Sequence, residues 1–527
     1  MKNGFRQSMA WLHTWTGLLL GWLLFAIFLT GTIAYFRSEV TYWMRPELHG
    51  SVQGADPAGL ALARLAEVAP QAASWNITLP DERSPVLALS WAKPGEQAGR
   101  RGGETMVIDA ATGATLSPRP TAGGEFLYRF HFELYGLPRS FARWIVGIAT
   151  MAMFVAIISG VITHKKIFKE FFTFRPGKGQ RSWLDIHNMT AVLALPYHVM
   201  ITFSGLVLFA ATLMPLVVDR PAPRGPTPQA SAAVAAPPPQ RALPQLVPLA
   251  SLLAQAEAAW AMPVGRIGIE KLDGPRPEIV LVPQRNSVLT VQSGSGANGV
   301  ERMRFDGLSG ALIEQTGRPE ASATAKVNHA LGALHRARFA DTALRWLFFV
   351  AGLAGTVMVG SGLVLWVSKR VARHSRAERQ PRGLWLVERL NIGGIAGLTL
   401  ATAGYFWANR LIPADAPERA LLEIRAFFLI WLAAALWPFL RPPAKAWSEQ
   451  LGLAALLLLA LPPLNAATGP SSLLQAMGQG NWVLASVDLM AILCGLACAH
   501  AAWRARPGRV KAPKPRARVQ ASQVPGE

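Results

Sequence analysis

The residues in this chain that could do chemistry together are histidines. There are ten, and six of them fall where a membrane protein could use them to hold a metal. His13, His164 and His187 sit near one end of long apolar runs; His131 and His335 sit just before two other runs, at the opposite end. His198 lies inside the run that contains His187. Neutral imidazole is a nitrogen ligand that can be buried without a charge. Two axial imidazoles close a haem iron to further ligands and leave a centre suited to electron transfer. His187 and His198 are eleven residues apart. On an unbroken helix that is three turns plus about 20°, with about 16–17 Å along the axis. The spacing therefore predicts one helix serving two stacked haems, with facing helices supplying the second ligands. His49, His374 and His500 are read as ordinary interfacial residues. His329 is set aside because its neighbour His335 matches the internal repeat better.

The elements that must position these histidines are transmembrane helices. Of 527 residues, 51% are hydrophobic, and they collect in eight runs long enough to span a bilayer. The runs lie near 14–36, 143–163, 184–217, 344–367, 386–408, 421–440, 447–465 and 481–503. The first resembles a signal peptide but is long and lacks a clean cleavage site, so it is read as a retained helix. The net charge is +21, carried by Lys and Arg clusters that flank alternate runs, among them Lys165, Lys166, Lys169, Arg175, Lys178 and Arg181. The positive-inside rule places all of them on one side if both termini are cytoplasmic, and no nucleic acid is needed to explain them. The expectation is a multi-pass protein of the bacterial inner membrane, embedded in the lipid bilayer.

Two large loops face outward, and each reads as a helix followed by strands. In the first, the helix is Ala58 to Ala69, the strands are Val86 to Trp91 and Thr105 to Ile108, and Asp109 to Gly113 is a turn. In the second, the helix is Leu246 to Ala261, the strands are Glu278 to Val282 and Ser287 to Gln292, and a turn falls at Ser309-Gly310. A Pro/Ala-rich linker, Arg220 to Gln245, introduces the second loop. Helix, ectodomain, helix thus occurs twice. His13 precedes Thr30-Gly31 by the interval that separates His187 from Ser204-Gly205, and Arg143-Trp144 precedes Ser159-Gly160 as Arg345-Trp346 precedes Ser361-Gly362. The expected division is helix 1 (1–36), ectodomain 1 (37–142), helices 2 and 3 with a basic loop (143–217), linker and ectodomain 2 (218–343), helix 4 with a basic loop (344–382), an appended bundle of four helices (383–505) and a basic tail (506–527).

Other chemistry finds no support. No GxGxxG follows a strand, and neither a phosphate-binding loop nor an HExxH zinc motif occurs, so no flavin or nicotinamide site is visible. Cys494 and Cys498 share a helix face inside an apolar run and read as small core residues. The glycines between Gly352 and Gly362 read as a close helix-packing face.

The stretch Leu12-His-Thr-Trp-Thr-Gly17 with Thr30-Gly31, then Phe130-His131, Leu184-Asp-Ile-His-Asn188 with Ser204-Gly205, and Leu334-His335 with Ser361-Gly362 resembles the PepSY-associated transmembrane family over roughly residues 10–370. The turns Val107-Ile-Asp109-Ala-Ala-Thr-Gly113 and Phe305-Asp306-Gly-Leu-Ser-Gly310 resemble the turn signature of PepSY domains. The segment from Thr163-His164 to Pro196-Tyr-His198 is similar to the FoxB-like inner-membrane ferric-siderophore reductases. That resemblance implies haem b, bis-histidine ligation and reduction of an iron chelate in the periplasm. The fold expected is a polytopic α-helical membrane protein carrying two periplasmic α+β PepSY-like domains.

The leading expectation is a haem b reductase with two haems, with no separate catalytic residue assigned. The inner haem takes His187 with His13 or His164. The outer haem draws on His131, His198 and His335, in a pairing the sequence leaves open. Arg129, Phe130 and Arg139 are candidates to attract an anionic ferric siderophore or other iron chelate. The electron donor is expected to be a quinol or a separate reductase. A different class of function is a non-enzymatic scaffold whose PepSY modules bind a protease or peptide; a third is a transporter, which the scarcity of embedded carboxylates beyond Asp488 and Glu423 disfavours.

Overall fold

A computed structural model describes residues 4–51, 54–94, 103–164, 167–170, 172–214, 243–284, 301–316, 323–374 and 380–507. Most of the Pro/Ala-rich linker, the strand expected at Ser287 to Gln292, Lys165, Lys166 and the tail beyond 507 lie outside the described residues.

The first half of the repeat runs α1 (Phe5–Ala34), α2 (Arg37–Trp43), α3 (Pro57–Val68), β1 (Ser74–Thr78), β2 (Leu87–Ala92), β3 (Glu104–Ile108), β4 (Thr115–Leu116), α4 (Gly123–Glu133), α5 (Arg139–Thr163) and a short α6 (Ile167–Glu170). The second runs α7 (Gln180–Leu193), α8 (Leu195–Leu208), α9 (Ala210–Leu213), α10 (Leu249–Trp260), β5 (Val264–Glu270), β6 (Glu278–Pro283), β7 (Arg302–Asp306), β8 (Leu312–Thr316), α11 (Ala323–Arg336) and α12 (Thr342–Arg373). The remainder is α13 (Arg382–Asn391), a π-helical stretch (Ile392–Gly397), α14 (Leu398–Leu411), α15 (Arg419–Leu440), α16 (Pro443–Leu459), α17 (Leu461–Thr468), α18 (Leu473–Gly478) and α19 (Trp482–Ala505).

Among the described residues, six helices are long and apolar enough to cross a membrane, or seven crossings if the bent pair α7 and α8 forms one. The protein is therefore a multi-pass membrane protein. The eighth expected crossing, near 386–408, is helical from 382 to 411 but is divided by the π-helical stretch. The break at α7 and α8 corrects the sequence argument about His187 and His198. Pro196 occupies the first turn of α8, where it has no N–H to continue the ladder of α7, and the two helices meet at 69°. The two histidines lie on different helices and do not share one face.

The outward loops do not fold as two separate sheets. They share a single antiparallel sheet in the order β4-β3-β2-β1-β5-β6-β7-β8. β1 and β5 pair across the middle, with Trp75 opposite Ile269 and Ile77 opposite Ile267. Each half would otherwise leave an unpaired apolar edge, and the pairing closes both. One face is covered by α3 and α10, whose Leu65, Leu252 and Ala256 join Trp75, Ile77, Ile267 and Ile279 in a common core. Both halves carry the same tight turn. Asp109 Oδ1 accepts hydrogen bonds from the amides of Ala111 and Thr112, and Asp306 Oδ1 accepts from those of Leu308 and Ser309. Gly113 and Gly310 then take φ of +73° and +74°, a conformation that glycine adopts without strain. The Ser309 amide and hydroxyl bonds hold the Asp306 carboxyl below the usual carboxylate range.

The helices at the centre of the fold are α1, α5, α7 with α8, and α12. Packing between α1 and α12 depends on glycine. A Cβ at Gly352 would lie 2.6 Å from Thr32 Oγ1, and one at Gly355 would lie 2.5 Å from the Phe28 ring. The appended helices lean on α1 through Trp22, whose indole N–H donates to Asn391 Oδ1 at 2.9 Å.

Candidate functional site: two pairs of imidazoles

Each of four histidines sits in a socket made by a glycine on a neighbouring helix. His13 of α1 lies against Gly160 of α5, and His187 of α7 against Gly362 of α12. His131 of α4 lies against Gly31 of α1, and His335 of α11 against Gly205 of α8. A Cβ would come within 2.5 Å of the ring at Gly31 and within 3.1 to 3.2 Å at the other three. These are the glycines of the four Thr-Gly and Ser-Gly pairs that mark the sequence repeat. The repeat exposed them as landmarks, but nothing in the sequence identified them as the surfaces on which the rings rest.

The backbone then fixes the rings. His13 Nδ1 lies 2.8 Å from the Ala156 carbonyl oxygen, His187 Nδ1 2.8 Å from that of Met358, and His131 Nδ1 2.8 Å from that of Ile27. Each carbonyl belongs to the residue four before the socket glycine. A carbonyl can only accept, so Nδ1 carries the proton, and the neutral ring keeps its lone pair on Nε2. His335 reaches the same state through a hydroxyl. Its Nδ1 lies 2.9 Å from Ser204 Oγ, which donates its own hydrogen to the Met200 carbonyl at 2.7 Å.

These four rings form two pairs. The His13 and His187 centroids are 6.1 Å apart, and those of His131 and His335 are 6.2 Å apart. A metal at about 2 Å from one nitrogen of each ring sets the ring centres roughly 6 Å apart. Among the described residues, no group of three or more His, Cys, Asp or Glu is placed to hold an ion. A metal held between either pair would need donors beyond the two rings, which a macrocycle would supply. The two layers are well separated. The Gly31 socket lies about 27 Å along α1 from His13, close to the thickness of a hydrocarbon core.

The other candidates stand apart from both pairs. His198 is 1% exposed, packs edge-on to Phe28 at 6.1 Å, and has the backbone of Ala191 and Ala351 beside its ring. It faces Gly355, seven residues before the His187 socket on α12, and so lies between the two layers. His164 ends α5, and its Nε2 accepts from the Asn188 amide at 3.1 Å. The proposed chelate-attracting residues Arg129, Phe130 and Arg139 do not line the histidine pairs. Arg129 pairs with Glu125 and Arg139 with Glu133, while Phe130 is buried against Phe427.

The sheet-side pair opens into a cavity of about 330 Å³. Six arginines line it, Arg37, Arg83, Arg143, Arg336, Arg338 and Arg345, with no acidic residue in the lining. Several are braced by carboxylates beside the cavity. Glu39 accepts from Arg83 Nε at 2.8 Å and from Arg345 Nη1 at 3.1 Å, and Glu133 accepts from Arg143 at 2.6 Å. Arg83 comes from the turn between β1 and β2 and Arg345 from α12, so one buried carboxylate ties the sheet domain to the helices. Tyr35 and Tyr197 meet at 2.9 Å, oxygen to oxygen, in the same wall.

An uncharacterized protein of Pseudomonas aeruginosa is 25% identical over 408 residues, covering 75% of this chain and 98% of its own length. The model of the PepSY-associated TM region matches residues 10–369, the whole repeat with all four sockets and both imidazole pairs, and the chain belongs to that family.

Proposed function

We propose that the protein is a membrane haem reductase that carries single electrons from the cytoplasmic side to an iron chelate at the periplasmic face of a bacterial inner membrane. The observation that carries this reading is the geometry of the four rings. All four are neutral, oriented by Nδ1 and held about 6 Å apart in pairs, a state that suits axial ligation and serves no evident packing purpose. His13 and His187 would hold one haem b, and His131 and His335 the other. A haem in each layer supplies one-electron chemistry without an open coordination site.

The chain's own residues do the rest. The glycine sockets and carbonyl acceptors fix ring orientation, and the helices exclude water. The arginine wall offers positive charge where the carboxylates of a porphyrin, or an anionic chelate above it, would lie. Reduction at that face takes one electron and converts an Fe(III) chelate, such as a ferric siderophore, to Fe(II), which such chelators hold less tightly. The electron comes from a quinol or a separate reductase. The scaffold reading leaves the four sockets without a purpose.

The test is spectroscopic. The full chain, produced with ample haem and purified in detergent, is expected to show a Soret band, reduced α-bands on dithionite addition, and about two haems per chain. A preparation without a Soret band would overturn the proposal. Reoxidation of the reduced protein by a ferric siderophore, followed at the α-band with an Fe(II) indicator present, tests the acceptor.

A further inference from the structure

The two halves of the repeat hold their sheet-side histidines by different means. The helix that carries His335, α11, leans on α8, and its first turns are exposed at Lys326, Val327 and Asn328. The helix that carries His131, α4, is buried at Gly123, Gly124, Phe126, Leu127 and Phe130. It packs on α1, α2 and α5 of the repeat, and aromatic side chains of the appended bundle, which lies outside the family match, close over its remaining face.

The contacts fall at the start of α4 and along one of its faces. Ala122, the residue before α4, has no side chain to cap the helix. Thr121 Oγ1 and Thr41 Oγ1 accept from the Gly123 and Gly124 amides, each at 3.0 Å, and Glu423 of α15 holds the residues that lead into the helix. Its Oε2 accepts from Thr121 Oγ1 at 2.7 Å and from the Ala122 amide at 3.2 Å. A carboxylate at a helix N-terminus satisfies an orphan amide and meets the positive end of the helix dipole. Tyr405 of α14 donates its hydroxyl to the Gly123 carbonyl at 2.9 Å. Glu423 is itself fully buried, balanced by Arg419 and by Asn409, whose amide donates to Oε1 at 2.7 Å. Arg419 also donates to the Pro120 carbonyl at 2.8 Å. One turn further along, Phe126 packs on Phe427 at 5.1 Å and on Tyr405 at 5.2 Å, and Phe130 packs on Phe428 at 5.9 Å and Trp431 at 6.0 Å. Phe130 immediately precedes His131.

We infer that the appended bundle is a positioning module for the sheet-side centre, in which Glu423 and Tyr405 fix the start of α4 and thereby set the orientation of the His131 ring. This rests on the haem reading for its redox consequence, but the mechanical part does not. The bundle makes the support of the two histidines unequal. His131, anchored on Ile27 within the repeat, is braced from outside it as well, whereas His335 depends on Ser204 and α8. Glu423 and Tyr405 are positioning residues and need not touch haem or substrate.

The experiment uses the full chain in detergent and the conservative variant Tyr405→Phe, which leaves no buried charge unpaired. A second variant, Glu423→Gln, removes the charge that holds Thr121 and Ala122. Amide exchange across α4 is expected to quicken about tenfold in each, the factor corresponding to one ordinary hydrogen bond, while exchange in α11 stays unchanged. In the haem-loaded protein, the low-spin signal and midpoint potential of the His131/His335 centre are expected to shift, and those of the His13/His187 centre to stay. Unchanged α4 exchange in Tyr405→Phe and Glu423→Gln would overturn the inference. Altered exchange with both redox centres unmoved would reduce it to a folding role and also overturn it. Failure of the haem reading would look different, because the wild-type chain would then bind no haem while its α4 exchange still answered to these variants.

Discussion

The rings of His13 and His187 stand 6.1 Å apart and at 73° to one another, although the two residues come from opposite halves of the repeat. The sheet-side rings of His131 and His335 keep nearly the same distance, 6.2 Å, but stand at 36°. Distance is thus conserved between layers and angle is not. The distance is set by glycine sockets common to both layers, the angle by anchors that differ: two carbonyls in one layer, a carbonyl and a hydroxyl in the other.

The pairing predicts which haem each histidine holds. His187→Ala and His13→Ala should each lower haem content from about two per chain to about one, and remove the same low-spin signal. His131→Ala and His335→Ala should remove the other. Because the ring angles differ, the two signals are expected to be distinguishable by low-temperature electron paramagnetic resonance. Loss of both signals in a single variant whose melting temperature is unchanged would contradict two independent layers.

Glycine variants probe the sockets without touching a ligand. Gly31→Ala places a Cβ 2.5 Å from His131 Nδ1, so the ring must leave the Ile27 carbonyl. Gly160→Ala and Gly362→Ala place theirs 3.1 Å from a ring carbon, which a smaller movement relieves. Overpacking of this kind costs about 1–3 kcal/mol, partly offset by about 0.5–1 kcal/mol gained when alanine replaces glycine within a helix. Gly31→Ala should therefore lose the sheet-side haem, while the other two keep theirs with shifted spectra. Equal haem retention in all three would remove the sockets from the account.

Much of this was legible in the sequence, and what was hidden has physical causes. The helices were legible because apolar runs of bilayer length have few alternatives. The four histidines and four glycines were legible as a pattern because the repeat copies their intervals. The bend between α7 and α8 left a visible mark, Pro196, but a run read by hydropathy alone looks continuous, so His187 and His198 were given one shared helix face, which the 69° bend denies them. The fusion of two ectodomains into one sheet depends on β1 finding β5, a pairing between segments far apart in the chain. The same is true of Glu423, which read as a stray embedded carboxylate and proves to hold the residues that lead into α4.

His198 offers a contrast with the ligands. It belongs to neither pair, and its buried ring lies against Phe28 and the backbone of Ala191 and Ala351. His198→Leu is expected to retain about two haems. Loss of one haem in this variant, read from the pyridine haemochrome, would return His198 to the ligand set.

His49 predicts a pH dependence that owes nothing to haem. It lies outside the spans, is 3% exposed, and its Nε2 meets the Tyr42 carbonyl at 3.0 Å. Burial pushes its pKa down to about 4 from 6.5, with Arg410 adding to the fall and the Tyr42 backbone and Glu47 opposing it. The folded protein therefore keeps this ring neutral where the unfolded chain would take up a proton. Stability from this group is complete above pH 6.5 and is lost as pH falls toward 4. Each unit of difference is worth about 1.4 kcal/mol, so between pH 7 and pH 5 the loss is about 2 kcal/mol. His49→Gln cannot titrate and keeps an amide donor for the Tyr42 carbonyl. Its melting temperature should fall less than that of wild type over this interval, and the two curves should converge near neutral pH. Parallel curves from pH 7 to pH 5 would show that His49 is protonated in the folded protein, and that the buried, neutral ring described here is wrong.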